Sequence, residues 1–171
     1  MTLILSGTDG LSDIDGTAST PAIRGTDANT GIFFPGADRV GFATGGSQRG
    51  EFDASGNFQF NSGYGSAATA YGCRAWVNFN GTGTPAIRAS GNVSSITDNG
   101  TGDYTVNFTT AISDANYSAV VTAGRTDSIN GVGTLNTASA VPTTTALRVI
   151  TIRPTLSDSF DMQYVCVAIF R

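Results

Sequence analysis

TDNGTGDYTVNFT, residues 97–109, sets the class of fold for this chain of 171 residues. From Tyr104 onward, large apolar side chains alternate with Thr and Asn, so the apolar ones share one face of an extended strand. Ahead of that strand, Asn99-Gly100 supplies the positive φ angles that a tight hairpin turn requires. Residues 91–109 are therefore predicted to form a β-hairpin.

The same pattern continues on both sides of the hairpin. Short β-branched and aromatic runs are interrupted by Gly, Asn and Asp, and no stretch supports a long helix. Further strands are predicted at residues 71–79, 117–123, 147–153 and 160–170. The last run is apolar on both faces, which predicts a central strand or one covered on both sides. The fold class is thus all-β, with a small antiparallel β-sandwich-like C-terminal domain.

Domain boundaries follow from composition. Residues 62–70 are rich in Gly, Ala and Ser and are predicted to be a linker. Residues 71–171 form the C-terminal β-domain, and residues 1–61 form a short N-terminal β segment. That segment is too poor in Leu, Ile, Val and Phe to close a core against its chain entropy. We expect it to be intertwined with other copies of the chain in a homo-oligomer.

The composition excludes several classes of function. The chain has no His, no Lys and a single Glu, Glu51, so the usual carriers of nucleophilic and zinc chemistry are missing. We therefore expect no enzyme activity, no metal site and no cofactor. Nine dispersed arginines and a pI near 4.5 argue against nucleic-acid binding. No apolar run approaches the roughly 18 residues of a membrane span, and the start, MTLILS, lacks the features of a secretion signal.

Two groups of short motifs lie on either side of the predicted linker. The first group consists of TPAIRGTDANTG (20–31), IFFP (32–35), DRVGFAT (38–44), GGS (45–47) and DASGN (53–57), and it resembles the short β segments of bacteriophage tail-fibre proteins. A C-terminal β-domain found in many phage fibres and receptor-binding proteins is similar to AWVNFN (75–80), GTGTPAIRAS (81–90), NVSSITDNGTGD (92–103) and YTVNFTT (104–110).

This resemblance implies a parallel homotrimer attached to the virion by one end. The expected function is that of a non-enzymatic tail or collar fibre, assembled in the host cytoplasm and located in the virion. Its expected partners are a portal, adaptor, tail or capsid protein and a host surface glycan. Two alternatives stay open at this point. One is a capsid-attached head fibre, and the other is a carbohydrate-binding or depolymerase tip.

The predicted anchor is an apolar segment close to the start of the sequence. Leu3, Ile4 and Leu5 are followed by a stretch rich in Gly, Asp, Ser and Thr that cannot shelter them. An exposed apolar strand of this kind normally pairs with another chain. We expect these residues to bind the virion protein that carries the fibre.

The predicted trimer interface consists of Phe33, Phe34, Phe42 and Trp76. The three phenylalanines belong to the segment that needs core from other copies. Trp76 alternates with buried-type residues and shares its face with Arg74 and other polar side chains. Because a large aromatic ring is costly to leave wet, we favour the interface over a sugar-stacking platform.

Receptor contacts are predicted in the long polar connection that follows residue 123. The candidates are Arg125, Asp127 and Asn130, whose groups suit hydrogen bonding to glycans. The alternative is that residues 131–138 form another strand and leave only a short turn. Cys73 and Cys166 are expected to be reduced, since the protein is assembled in cytosol.

Overall fold

The computed structural model describes residues 14–63, 65–126 and 131–171. The described residues form fifteen β-strands and no helix, which confirms the all-β prediction. The chain divides into two compact units, Met1–Ala70 and Tyr71–Arg171. Residues 62–70, predicted to be a linker, contribute a two-residue strand that pairs with the strand before it.

The first unit is an antiparallel meander in which every strand pairs with the next one along the chain. Short turns make this order possible, as at Gly45-Gly46, which alone separate the paired Thr44 and Ser47. The strands are β1 (Ile23–Arg24), β2 (Gly31–Phe33), β3 (Val40–Thr44), β4 (Ser47–Phe52), β5 (Phe58–Phe60) and β6 (Ala68–Thr69).

The second unit is a sandwich of two antiparallel sheets. One sheet has the order β12-β13-β10-β9, with β14 added beside β13, and the other has the order β11-β15-β7-β8. The strands are β7 (Cys73–Asn80), β8 (Ala86–Gly91), β9 (Val93–Gly100), β10 (Asp103–Phe108), β11 (Ser118–Gly124), β12 (Val132–Leu135), β13 (Ala146–Arg153), β14 (Asp158–Ser159) and β15 (Tyr164–Phe170).

One hydrophobic core lies between these two sheets. It is built by the alternate side chains that each strand turns inward. Its members are Ala75, Val77, Phe79, Val93, Tyr104, Val106, Phe108, Ile112, Leu147, Val149, Met162, Val165, Val167 and Ile169. The strand β15 lies between β11 and β7, the central position that its two-sided apolar pattern predicts. Residues 131–138, left open between loop and strand, contain β12, which pairs with β13.

The predicted hairpin is formed by β9 and β10, but its positive φ angles fall later than expected. They belong to Gly100 (126°) and Gly102 (68°) rather than to Asn99. Asn99 is instead the extra residue of a bulge, and its amide donates a hydrogen bond of 2.9 Å to Thr105 Oγ1. The assignment to Asn99 is therefore wrong, because two nearby glycines adopt positive φ without the steric cost of a Cβ.

Gly102 brings the turn into close contact with the neighbouring strand. Its carbonyl accepts a hydrogen bond of 2.7 Å from the Thr151 N–H, and its own N–H donates one of 2.7 Å to Asp161 Oδ1. A Cβ at this position would lie 2.5 Å from the Thr151 carbonyl oxygen and 2.6 Å from the Phe160 nitrogen. Only glycine fits at position 102 without a shift of the neighbouring backbone.

Tyr104 ties the hairpin to the opposite sheet. Its side chain is fully buried and packs edge-on against Phe79, with ring centroids 5.1 Å apart. Its hydroxyl lies 2.8 Å from both the Gly81 carbonyl oxygen and Asp161 Oδ1. Burial, and then the hydrogen bond to Asp161, raise the pKa of Tyr104 far above its ordinary value, so the hydroxyl stays protonated.

We predict that Gly102→Ala lowers the free energy of unfolding by about 3 kcal/mol or more, because a backbone clash adds to the strain of positive φ. The matched control is Gly83→Ala, where φ is nearly the same (66°) and no atom lies within 4 Å of the added Cβ. Gly83→Ala should cost only about 1 kcal/mol. Urea unfolding followed by circular dichroism at one protein concentration measures both. Equal losses would contradict the close approach at Gly102.

Candidate functional site

The N-terminal sheet carries a continuous aromatic surface on one side. Cross-strand pairing brings its members together, and we call them the aromatic face: Ile32, Val40, Phe42, Phe52, Phe58 and Phe60. The ring centroids of Phe52 and Phe58 are 5.4 Å apart, and Phe58 stacks on Phe60 at 6.2 Å. These three side chains are nevertheless 48%, 41% and 40% exposed in that order. The rings pack against one another, yet nearly half of each side chain remains exposed to solvent.

The opposite side of the same sheet is closed. Phe33 packs over Gly41 and is 4% exposed, and Glu51 is 3% exposed. Arg39 Nη2 lies 2.5 Å from Glu51 Oε1. Arg39 Nε and Glu51 Oε2 have no hydrogen-bond partner in the described part of the chain, and they are the two atoms that complete a bidentate pair. The buried Glu51 carboxylate is thus paired with Arg39.

The predicted interface phenylalanines lie on different sides of this sheet. Phe42 belongs to the aromatic face, whereas Phe33 belongs to the closed side and Phe34 follows β2 in a partly buried position. Phe58 and Phe60 are not among the interface residues predicted from the sequence. Their spacing of two residues was the available signal, since alternate residues of a strand share a face.

The outer side of the sheet β11-β15-β7-β8 carries a second apolar surface. Val120, Ala168 and Trp76 lie side by side across three strands, and Cys166 lies in the next row. We call these four side chains the tryptophan face. Trp76 is 44% exposed and Val120 is 52% exposed. The indole lies over its cross-strand partner Gly91, where a Cβ would be 2.4 Å from Trp76 Nε1.

The outer side of the other sheet carries a polar patch, beside the apolar side chains of Val132, Ile150 and Ile152. Asn107 Nδ2 donates hydrogen bonds to Thr97 Oγ1 at 2.9 Å and to Ser95 Oγ at 3.1 Å. Such hydroxyl and amide side chains remain hydrated at no cost when the face meets water. The sandwich therefore has a polar patch on one outer surface and the apolar tryptophan face on the other.

An ion pair reinforces this polar patch. Arg148 donates to Asp103 through Nε (2.9 Å) and Nη2 (2.8 Å), and Asn136 Nδ2 adds a third hydrogen bond of 3.0 Å. The hydrogen bonds from Arg148 lower the pKa of Asp103 more than its partial burial raises it. The pair links β10 to β13 and has a structural role.

Several predicted site residues lie outside the described residues. They are the anchor residues Leu3, Ile4 and Leu5 and the receptor candidates Asp127 and Asn130. Their assignments stay predictions.

The remaining receptor candidate, Arg125, is described. Its Nη1 donates a hydrogen bond of 3.2 Å to the Asp161 carbonyl oxygen, and its guanidinium lies 5.1 Å from the centroid of the Phe160 ring. Arg125 thus has a packing role within the chain, and its contact with a receptor stays a prediction.

Both cysteines are free thiols. They lie in the neighbouring strands β7 and β15, but Cys166 is opposite Asn78, five residues along from Cys73. At about 3.3 Å per residue, this offset is far too long for a disulfide.

Residues 14–63, 65–126 and 131–171 contain neither a cluster of three metal-ligating side chains nor a long apolar helix. No three His, Cys, Asp or Glu side chains there are grouped to hold a metal ion. No helix there has the length and apolar character needed to cross a bilayer.

Comparison with known proteins gives limited information. No protein-family model and no curated protein matches the chain. Among solved structures, the chain is similar to the phiAB6 tailspike, which was crystallised in complex with three-repeated oligosaccharides of Acinetobacter baumannii surface polysaccharide. The identity is 11% and the TM-score is 0.43, over 90% of this chain and 38% of the tailspike chain. No functional assignment follows from a likeness of this size.

We predict that the tryptophan face is covered in the assembled protein, so that acrylamide quenches the fluorescence of Trp76, the single tryptophan, only slowly. The control carries Trp76→Phe and Tyr71→Trp, which moves the reporter to a position that is 66% exposed. That reporter should be quenched at a rate near that of free tryptophan. A rapid quenching rate for Trp76 would show that the indole is wet.

Proposed function

We propose that this chain is a structural virion fibre protein of a bacteriophage. Three parallel copies form the fibre, which is attached through its N-terminal segment to a tail or collar protein. The fibre has no catalytic role. The motif resemblance at residues 20–57 and 75–110 supports the proposal, and the exposed apolar faces of the two units support it independently.

The observation that carries the proposal is the aromatic face. Covering a half-exposed phenylalanine gains about 1 kcal/mol, since complete burial of such a side chain is worth about 1.5–3 kcal/mol. Phe52, Phe58 and Phe60 offer this gain in every chain. A single-layer sheet buries its second face only by packing against another layer. Threefold association supplies that layer from identical sheets and places the aromatic faces around a common axis.

The tryptophan face extends the same argument to the second unit. An assembly that covers Trp76 and Val120 leaves the polar patch of the sandwich, with Ser95, Thr97 and Asn107, in contact with water. The free thiol of Cys166 would be protected in the same interface.

One prediction of the proposed function concerns assembly. Purified protein should have a mass three times 17.5 kDa by mass photometry. Phe58→Ala should weaken the trimer by about 1 kcal/mol per chain or more if the ring is buried on association, and dissociation on dilution measures the loss. Leu156→Ala, which truncates a side chain that is 63% exposed and outside the aromatic face, should leave the trimer unchanged. A monomeric wild-type protein would rule out the proposal.

Another prediction of the proposed function concerns attachment. Deletion of residues 1–16 should leave trimers that no longer incorporate into particles, as measured by labelled protein on purified virions. A full-length variant with Leu3→Ser, Ile4→Ser and Leu5→Ser should show the same defect, because the apolar side chains and not the length of the segment make the contact. Normal incorporation of either variant would place the anchor elsewhere.

A further inference from the structure

The outer side of the sheet β11-β15-β7-β8 changes character at one end. Beyond the tryptophan face it opens into a cleft of about 400 Å³, within the range of roughly 300–1,000 Å³ that is usual for small-molecule sites. The side chains that line this cleft include Ile87, Arg88, Thr126, Gln163 and Tyr164.

Arg88 is held in a fixed position in the cleft. Its guanidinium carbon lies 4.4 Å from the centroid of the Tyr164 ring, and its Nη1 donates a hydrogen bond of 3.2 Å to Asn78 Oδ1. A guanidinium that is already stacked and hydrogen-bonded loses little entropy when it binds a ligand. Arg88 is therefore preorganised for binding.

The positive charge of Arg88 is not compensated within the described part of the chain. Four other arginines form ion pairs with Asp or Glu side chains. The contacts of Arg88 there are the neutral amide of Asn78 and the ring of Tyr164. A guanidinium that is ordered in a cleft and has no acidic neighbour there favours an anionic partner.

The neighbouring groups are hydrogen-bond donors. Gln163 Oε1 accepts from the Thr126 N–H at 3.1 Å and from Thr126 Oγ1 at 2.7 Å. These two bonds fix the orientation of the amide, so that its Nε2 remains a donor. The Tyr164 hydroxyl is a second neutral donor, on a side chain that is 43% exposed. Ile87, 37% exposed, adds an apolar wall.

We propose that this cleft binds a carboxylated saccharide, such as a uronic acid unit of an acidic polysaccharide. Arg88 pairs with the carboxylate, Gln163 and Tyr164 donate to hydroxyl oxygens, and Ile87 contacts the C–H surface of the sugar ring. A bare inorganic anion would use the charge of Arg88 but would leave the apolar wall and the neutral donors unused. The inference rests on the proposed function, since it names the ligand class that such a fibre would contact.

The test uses the assembled full-length protein and isothermal titration calorimetry with two probes of equal length, tetragalacturonate and neutral maltotetraose. Tetragalacturonate should bind at least about tenfold more tightly than maltotetraose, and added salt should weaken its binding. Arg88→Gln should reduce the affinity for tetragalacturonate about tenfold or more. The matched control Arg74→Gln removes the same charge from an exposed position on β7 outside the cleft, and it should change the affinity less than twofold.

Circular dichroism and the free energy of unfolding of each variant distinguish a loss of binding from a loss of folding. Arg88→Lys, which keeps the charge, is a second variant for the case that Arg88→Gln does not fold. Equal affinity for the two probes, no binding of tetragalacturonate at millimolar concentration, or an unchanged affinity in Arg88→Gln would overturn the proposed site. The mass of the same sample decides the fibre proposal separately. A trimer that does not bind tetragalacturonate overturns the site alone, whereas a monomer that binds it overturns the fibre proposal and keeps the site.

Discussion

The edge-to-face contact between Tyr104 and Phe79 joins the two sheets of the C-terminal unit, and the other features of that unit depend on it. With ring centroids 5.1 Å apart, the contact holds the hairpin β9-β10 against the sheet that contains β7. The Tyr104 hydroxyl adds hydrogen bonds to Gly81 and Asp161 on the same side of the core. Once this packing defines the inner faces, strict alternation along each strand defines which side chains must lie outside.

The two outer faces that result are chemically unequal. One presents Ser, Thr and Asn side chains that bond to one another, and the other presents Trp76 beside Val120 and Ala168. A protein with few large apolar residues seldom leaves them wet without a reason, since a contiguous exposed apolar patch usually marks an interaction surface. The same apolar face ends in the cleft around Arg88, so association and ligand binding are proposed for adjacent regions of one sheet.

The N-terminal unit differs from the sandwich because it has one sheet instead of two. The closed side of this sheet buries Phe33 and the Arg39–Glu51 pair. Among the described residues of this unit, no second sheet covers the aromatic face in the way that the sandwich covers Tyr104 and Phe79. The stability of this unit therefore depends on what covers that face, which is why the trimer is proposed from this surface.

The sequence by itself determined the strand pattern and the hairpin around residues 97–109, because alternation and turn chemistry act between residues close in the chain. It also excluded His-based and Lys-based chemistry through composition. The tertiary structure alone decided register and partnership. It placed Phe33 and Phe42 on opposite sides of one sheet, and it brought Arg88 onto Tyr164, 76 positions later in the chain. A shift of one residue in strand pairing would reverse every such assignment, and no local pattern in the sequence records which strands will become neighbours.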